Sequence, residues 1–167
     1  MLVRNTGKKF VDVSGISTEI FHEAWVGRGM AIGDIDNDGR IDAVVSTNGG
    51  SPHVLLNLTE TSNHWITLRL VGHKSNRDGI GAQVKVVTAQ GSQWGMVTTS
   101  SGYLSASDPR LHFGLGAADK VDRIEIRWPS GIQQIVRITK IDQQFTIDEP
   151  AETDSTKPVA AADTPKH

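Results

Sequence analysis

Between Trp65 and Ile147 apolar side chains recur at every second position, and no stretch of the chain repeats them convincingly at the helical period of about 3.6. Ile66, Leu68 and Leu70 share one face of an extended segment, as do Ala82, Val84 and Val86. The turn AQGS, Ala89 to Ser92, then leads into Trp94, Met96 and Thr98, as a hairpin requires. Leu111, Phe113 and Leu115 form another set. Ile124, Ile126 and Trp128 follow, stopped by the turn Pro129-Ser130-Gly131. Ile135 to Ile138 and Gln144 to Ile147 complete about seven short strands separated by turn signals, the pattern of a β-sandwich. Trp65, Trp94 and Trp128 fall on these strands and are expected in the core.

The first 60 residues differ. Gly29 to Ile32 and Ala43 to Ser46 read as strands, and Val54 to Leu56 follows a turn at Gly49 to Pro52. Phe21 to Val26 is expected to make a helical turn. Between the first two strands lies GDIDNDGRID, which places Asp34, Asp36, Asp38 and Asp42 within nine residues. Carboxylates about 5 Å apart at an effective dielectric near 20 repel by roughly 3 kcal/mol per pair, so a turn that gathers them needs a cation. The spacing selects the cation. Side chains at loop positions one, three, five and nine, with a backbone carbonyl at seven, build an oxygen cage for Ca²⁺. Those positions are Asp34, Asp36, Asp38 and Asp42, with the carbonyl of Arg40. Gly39 stands at position six, where the chain bends sharply and a Cβ would obstruct it. An all-oxygen set without His or Cys favours Ca²⁺ over zinc or copper. Position twelve is Val45, not the Glu of an EF-hand, and the flanks suit strands rather than helices. The bland alternative is a solvated acidic turn without an ion.

Composition narrows the function classes. The 167 residues carry a net charge of −2, so no general attraction to nucleic acid or an anionic membrane is expected. No apolar run approaches the roughly 20 residues of a membrane helix. Cysteine is absent, which excludes disulfides, thiol catalysis and thiolate metal sites. MLVRNTGKKF has no apolar core, so this chain shows no signal peptide as written. The tail PAETDSTKPVAAADTPKH, residues 150–167, lacks large apolar side chains and is expected to be disordered.

GDIDNDGRIDAVVSTNGGSPHVLLNL resembles one calcium-binding repeat of the FG-GAP or VCBS type, found in integrin-like β-propellers. The resemblance implies Ca²⁺ held between two strands of a blade by Asp34, Asp36, Asp38, Asp42 and the Arg40 carbonyl. NHWITLRLVGHKSNRDGIGAQVKV, SSGYLSASDPRLHFGLG and VDRIEIRWPSG resemble the ASPIC/UnbV domain over about Asn63 to Pro150. That module ends proteins of the cartilage-acidic-protein type, after a run of such repeats. The expected architecture is therefore all-β: a single propeller-blade-like repeat over 1–60, a β-sandwich over 63–149 and a disordered tail over 150–167. The resemblance further implies the last part of a longer chain, whose missing blades would be its partners, secreted or displayed at a cell surface.

Other constellations are weaker. Arg77 and Asp78 in SNRDGIGA read as a recognition pair or as ordinary turn residues. Tyr103, Ser105, Asp108 and Arg110 in SSGYLSASDPR could receive a sugar or peptide, or could form a structural loop. GLGAAD lacks the third glycine of a dinucleotide fingerprint. The histidines show no metal-ligand spacing. Asn57-Leu58-Thr59 is a glycosylation sequon. The expectation is a non-enzymatic, calcium-binding, extracellular recognition or scaffolding module with a protein or carbohydrate ligand. Its rivals are an enzyme or accessory protein of secondary metabolism, with chemistry around Arg77, Asp78, Tyr103 and His112, and a structural cap of a β-propeller.

Overall fold

The computed structural model describes residues 2–16 and 19–152. The tail expected to be disordered falls, beyond Glu152, outside the described residues. The described chain is all-β, with two short 3-10 turns at Ser14–Ile16 and Glu19–His22. The second of these stands where a helical turn over Phe21 to Val26 was expected, shifted toward the N-terminus, and the chain is extended again from Gly27. A small hairpin that alternation did not announce opens the structure: β1 (Val3–Asn5) pairs antiparallel with β2 (Phe10–Asp12).

The acidic stretch sits in a three-stranded antiparallel sheet ordered β3-β4-β5, built from β3 (Gly27–Gly33), β4 (Asp42–Thr47) and β5 (His53–Leu55). The loop Asp34 to Ile41 joins β3 to β4, as the strand, loop, strand reading required. Both faces of this sheet are apolar and poorly covered. Met30 and Ile32 project from one side and Val54 from the other, 55%, 45% and 58% exposed.

The remaining strands form the sandwich: β6 (His64–Val71), β7 (Gln83–Thr88), β8 (Gly91–Met96), β9 (Leu111–Gly116), β10 (Arg123–Arg127), β11 (Gln133–Val136) and β12 (Gln143–Asp148). One sheet is ordered β12-β6-β9 and the other β11-β10-β7-β8. Ile66 and Leu68 of β6, Val84 and Val86 of β7, Phe113 of β9, Ile124 and Ile126 of β10 and Phe145 and Ile147 of β12 meet in one core, joined by Trp128 and Val136. Trp94 is not part of it. Register places Trp94 opposite Lys85, and Lys85 faces outward because Val84 and Val86 fill the interior. Gly95 and Gln93 take the inner side of β8, and a Cβ on Gly95 would come 3.1 Å from the Phe113 ring. Trp94 is therefore 67% exposed, contrary to its expected place in the core.

β12 runs parallel to β6, so it is not held there by a tight hairpin turn. Its end is fixed by Glu149, which is buried. The Glu149 Oε2 accepts hydrogen bonds from the amides of His73, Lys74 and Ser75 at 2.8, 2.8 and 2.7 Å. Its Oε1 accepts from the hydroxyls of Ser75 and Ser130 at 2.8 and 2.5 Å. Burial pushes this carboxyl up, but the hydrogen bonds from Ser130, Ser75 and His73 outweigh it and bring it down to about 2.

Candidate metal centre

Two carboxylates shape the acidic loop from within. Asp34 accepts from the amides of Asp38 and Gly39 at 3.0 and 2.9 Å, folding the loop back over its own first residue. Asp42, at the start of β4, accepts from the Ile35 amide at 2.9 Å and from the Asn57 amide at 2.8 Å. Both are buried, at 5% and 2% exposure. The tight reversal needs left-handed backbone at Asn37 (φ 59°) and Gly39 (φ 88°). Gly39 has a second reason to lack a side chain: a Cβ there would lie 2.0 Å from Cε2 of Trp65.

Asp34, Asp36 and Asp42 each bring a carboxylate oxygen within 4.8 Å of the others. No hydrogen bond or ion pair among the described residues engages the exposed Asp36 carboxylate. Each Asp34 and Asp42 oxygen accepts a single amide, which leaves lone pairs over for a cation. The donor set is hard oxygen throughout, which suits Ca²⁺ or Mg²⁺ and not a thiophilic metal. At this separation each pair repels by roughly 3 kcal/mol at an effective dielectric of 20, so the arrangement is suited to a divalent ion. Asp38 lies outside the trio. Its Oδ1 accepts from the Arg40 amide at 2.8 Å, and its Oδ2 pairs with the Arg40 guanidinium, which also donates to the Asn57 carbonyl.

The loop is docked on the sandwich by groups that spacing alone did not reveal. Arg110 donates to the Asp34 carbonyl at 2.8 Å and to Asn37 Oδ1 at 2.8 Å. The same guanidinium binds Asp108 and, at 2.6 Å, Gln144 Oε1. Its charge is thus spent on Asp108 while its remaining N–H groups hold the loop's backbone. Residues 105–108 run beside the free edge of β3. Ser105 Oγ accepts from the Met30 amide and Ser107 Oγ from the Ile32 amide, each at 3.1 Å, and the Asp108 amide donates to the Ile32 carbonyl at 3.0 Å. The segment SSGYLSASDPR therefore includes the seam between the two sheets' territories. The only signal for this in sequence is its serine-rich polarity, which ordinary loops share.

The other singled-out residues fall in different places. His112 bonds Thr67 at 3.1 Å and stacks on Trp65 with ring centroids 5.8 Å apart. Burial pulls its pKa below the usual histidine value, and the Asp34 charge partly opposes that. Asp78 lines a cavity of about 330 Å³ together with Arg69, Asp108, Arg110 and Gln144, whereas Arg77, Tyr103 and His112 do not line it. Tyr103 is 77% exposed.

Residues 72–154 match the family described as ASPIC and UnbV, so the sandwich carries an ASPIC/UnbV domain. The chain is also similar to cartilage acidic protein 1 of Xenopus tropicalis, 33% identical over 141 residues that make up 79% of this chain and 21% of the relative. The mouse protein of the same name is 33% identical over 111 residues, 63% of this chain and 17% of its own length. The chain thus spans about a fifth of the curated relatives it matches.

Proposed function

We propose that this protein is a non-catalytic, calcium-stabilised recognition or scaffolding module that works outside the cell, with its three-stranded sheet serving as one blade of a larger propeller. The observation that carries the calcium reading is the convergence of Asp34, Asp36 and Asp42 within 4.8 Å on an all-oxygen donor set. The Asp38 carboxylate and the Arg40 carbonyl are the further ligands that the repeat resemblance supplies. Bound there, Ca²⁺ would contribute positive charge that cancels the mutual repulsion of the loop. The chain's own residues do the rest. Asp34 and Asp42 fix the backbone, Gly39 allows close approach to Trp65, and Arg110 seats the loop on the sandwich.

Two further features favour the blade reading. Apolar side chains stand on both faces of the β3-β4-β5 sheet, an arrangement suited to burial between neighbouring blades. The cartilage acidic protein 1 relatives are about five times as long as the matched region, which leaves room for such neighbours in a longer chain. The similarity to those relatives is also the support for an extracellular setting, and extracellular calcium modules bind at roughly 10⁻⁴ to 10⁻³ M.

Calorimetric titration of Ca²⁺ into metal-free protein tests the reading. One binding event is expected, absent in Asp36→Ala. With calcium about 100-fold above its dissociation constant, the binding region should gain about 2.7 kcal/mol of stability. No heat and no change in melting would overturn the calcium assignment for this protein.

A further inference from the structure

We propose that the outer face of the β11-β10-β7-β8 sheet binds an acidic polysaccharide of the uronate class, with Trp94 as the stacking platform. Trp94 lies within the end strand β8 and is 67% exposed, whereas Trp128 is 1% exposed and Trp25 and Trp65 are half-buried. An open indole on a strand leaves a large apolar surface in water and serves no core. Its surroundings define a ligand. Register aligns Trp94 with Lys85 and Glu125, and Met96 with Gln83 and Arg127, on the same outward side. Arg123 and Gln133 belong to that side as well.

Three cations, Lys85, Arg123 and Arg127, face one carboxylate, Glu125, on a chain whose net charge is −2. Glu125 is shared between Arg123 Nε at 2.6 Å and Lys85 Nζ at 3.9 Å, so the face keeps an excess of positive charge. Lys85 Nζ lies over the Trp94 ring, 5.3 Å from its centroid, which sets a cation on one face of the platform.

This combination fits a sugar better than a protein hot spot. A protein anchor needs an apolar, desolvated surround, and here exposed Met96 and half-buried Val87 and Ile135 are interspersed with amides and charges suited to hydroxyls and carboxylates. A pyranose can lay its C–H face on the indole face opposite Lys85. In a uronate the equatorial carboxylate leaves that face free and reaches sideways to the cations. Sulfate esters set axially on the ring would crowd the stack. Trp94 on β8 and Arg127 on β10 are two strands apart and offset by two residues, about 12 Å between Cα atoms, a span that a disaccharide and the two side chains bridge together.

The experiment is calorimetric titration of the full chain, at a fixed calcium concentration, with a galacturonate hexamer, a hyaluronan hexasaccharide, a heparin hexasaccharide and cellohexaose. The expected result is binding of at least one uronate oligomer, weakened by added salt and reduced tenfold or more by Trp94→Ala. The melting temperature of that variant should be unchanged, since the side chain is exposed. Arg127→Gln should reduce binding several-fold. The proposal is overturned if neither the galacturonate nor the hyaluronan oligomer binds, if Trp94→Ala binds as well as the parent, or if heparin or cellohexaose is preferred. Self-association by ultracentrifugation that Trp94→Ala abolishes would place a second copy on this face and equally overturn it.

Discussion

The β3-β4-β5 sheet and the sandwich are built of the same kind of strand, yet they are held by opposite physics. Every buried hydrophobic side chain among the described residues lies between Ile66 and Ile147. Before His64, the buried side chains among the described residues are Asp34 and Asp42. The sandwich thus rests on removing hydrocarbon from water. The first sheet rests on backbone pairing, on two carboxylates that cap amides, and on a seam made by Ser105, Ser107, Asp108 and Arg110. A sheet of three short strands whose apolar faces stay in contact with water gains little from the removal of hydrocarbon from water. Alternating strands therefore specify a sheet, and a second set of contacts decides whether that sheet stands alone.

Separating the two regions breaks the comparison most directly. Residues 63–152 expressed alone should melt cooperatively, followed by circular dichroism, whereas residues 1–62 alone should give no cooperative transition. A cooperative melt of the first region would show that its polar framework suffices without the sandwich.

Gly39→Ala is the next largest perturbation. It forces a Cβ into Trp65 at left-handed φ, at a cost of about 3 kcal/mol. The loss should appear as undocking of the loop, seen in amide exchange of residues 34–42, with sandwich amides still protected. Equal loss of protection in both regions would mean that they unfold as one unit.

Glu149→Gln acts within the sandwich and should cost at least about 1 kcal/mol at pH 7, since a hydrogen bond to a charged group exceeds a neutral one by about that much. Glu149 is depressed in the folded protein to about 2 from its ordinary value of 4.5. Its contribution is therefore fully present above about pH 4.5 and is lost as pH falls toward 2. Urea denaturation across this window should show the parent losing stability faster than the variant. Parallel pH profiles would remove Glu149 from that role.

Much of this was legible in sequence because the signals are local. Period-two alternation located the strands of the sandwich from His64 to Asp148, and Val84 and Val86 fill the core as their spacing required. The aspartate spacing located the loop, and Gly39 proved to be a position where a side chain has no room. Trp94 shows the limit of such patterns. Alternation correctly put Trp94 and Met96 on one face, but which face meets water is set by pairing with β7 and by the Phe113 ring against Gly95. In sequence Arg110 reads only as a possible ligand contact. Its bonds to Asp34 and Asn37 join residues more than seventy positions apart, and no local spacing encodes them.

The sequence by itself determined the strands, the acidic loop and the glycine at its bend, because backbone geometry and ligand spacing are properties of neighbours along the chain. Only the tertiary structure decided that Asp34 and Asp42 are buried organisers, that Asp36 is the uncommitted carboxylate, that Asp38 turns to Arg40, and that Arg110 and Trp65 seat the loop. Those outcomes depend on which distant groups arrive beside each side chain, and that is fixed when two separately patterned regions pack together.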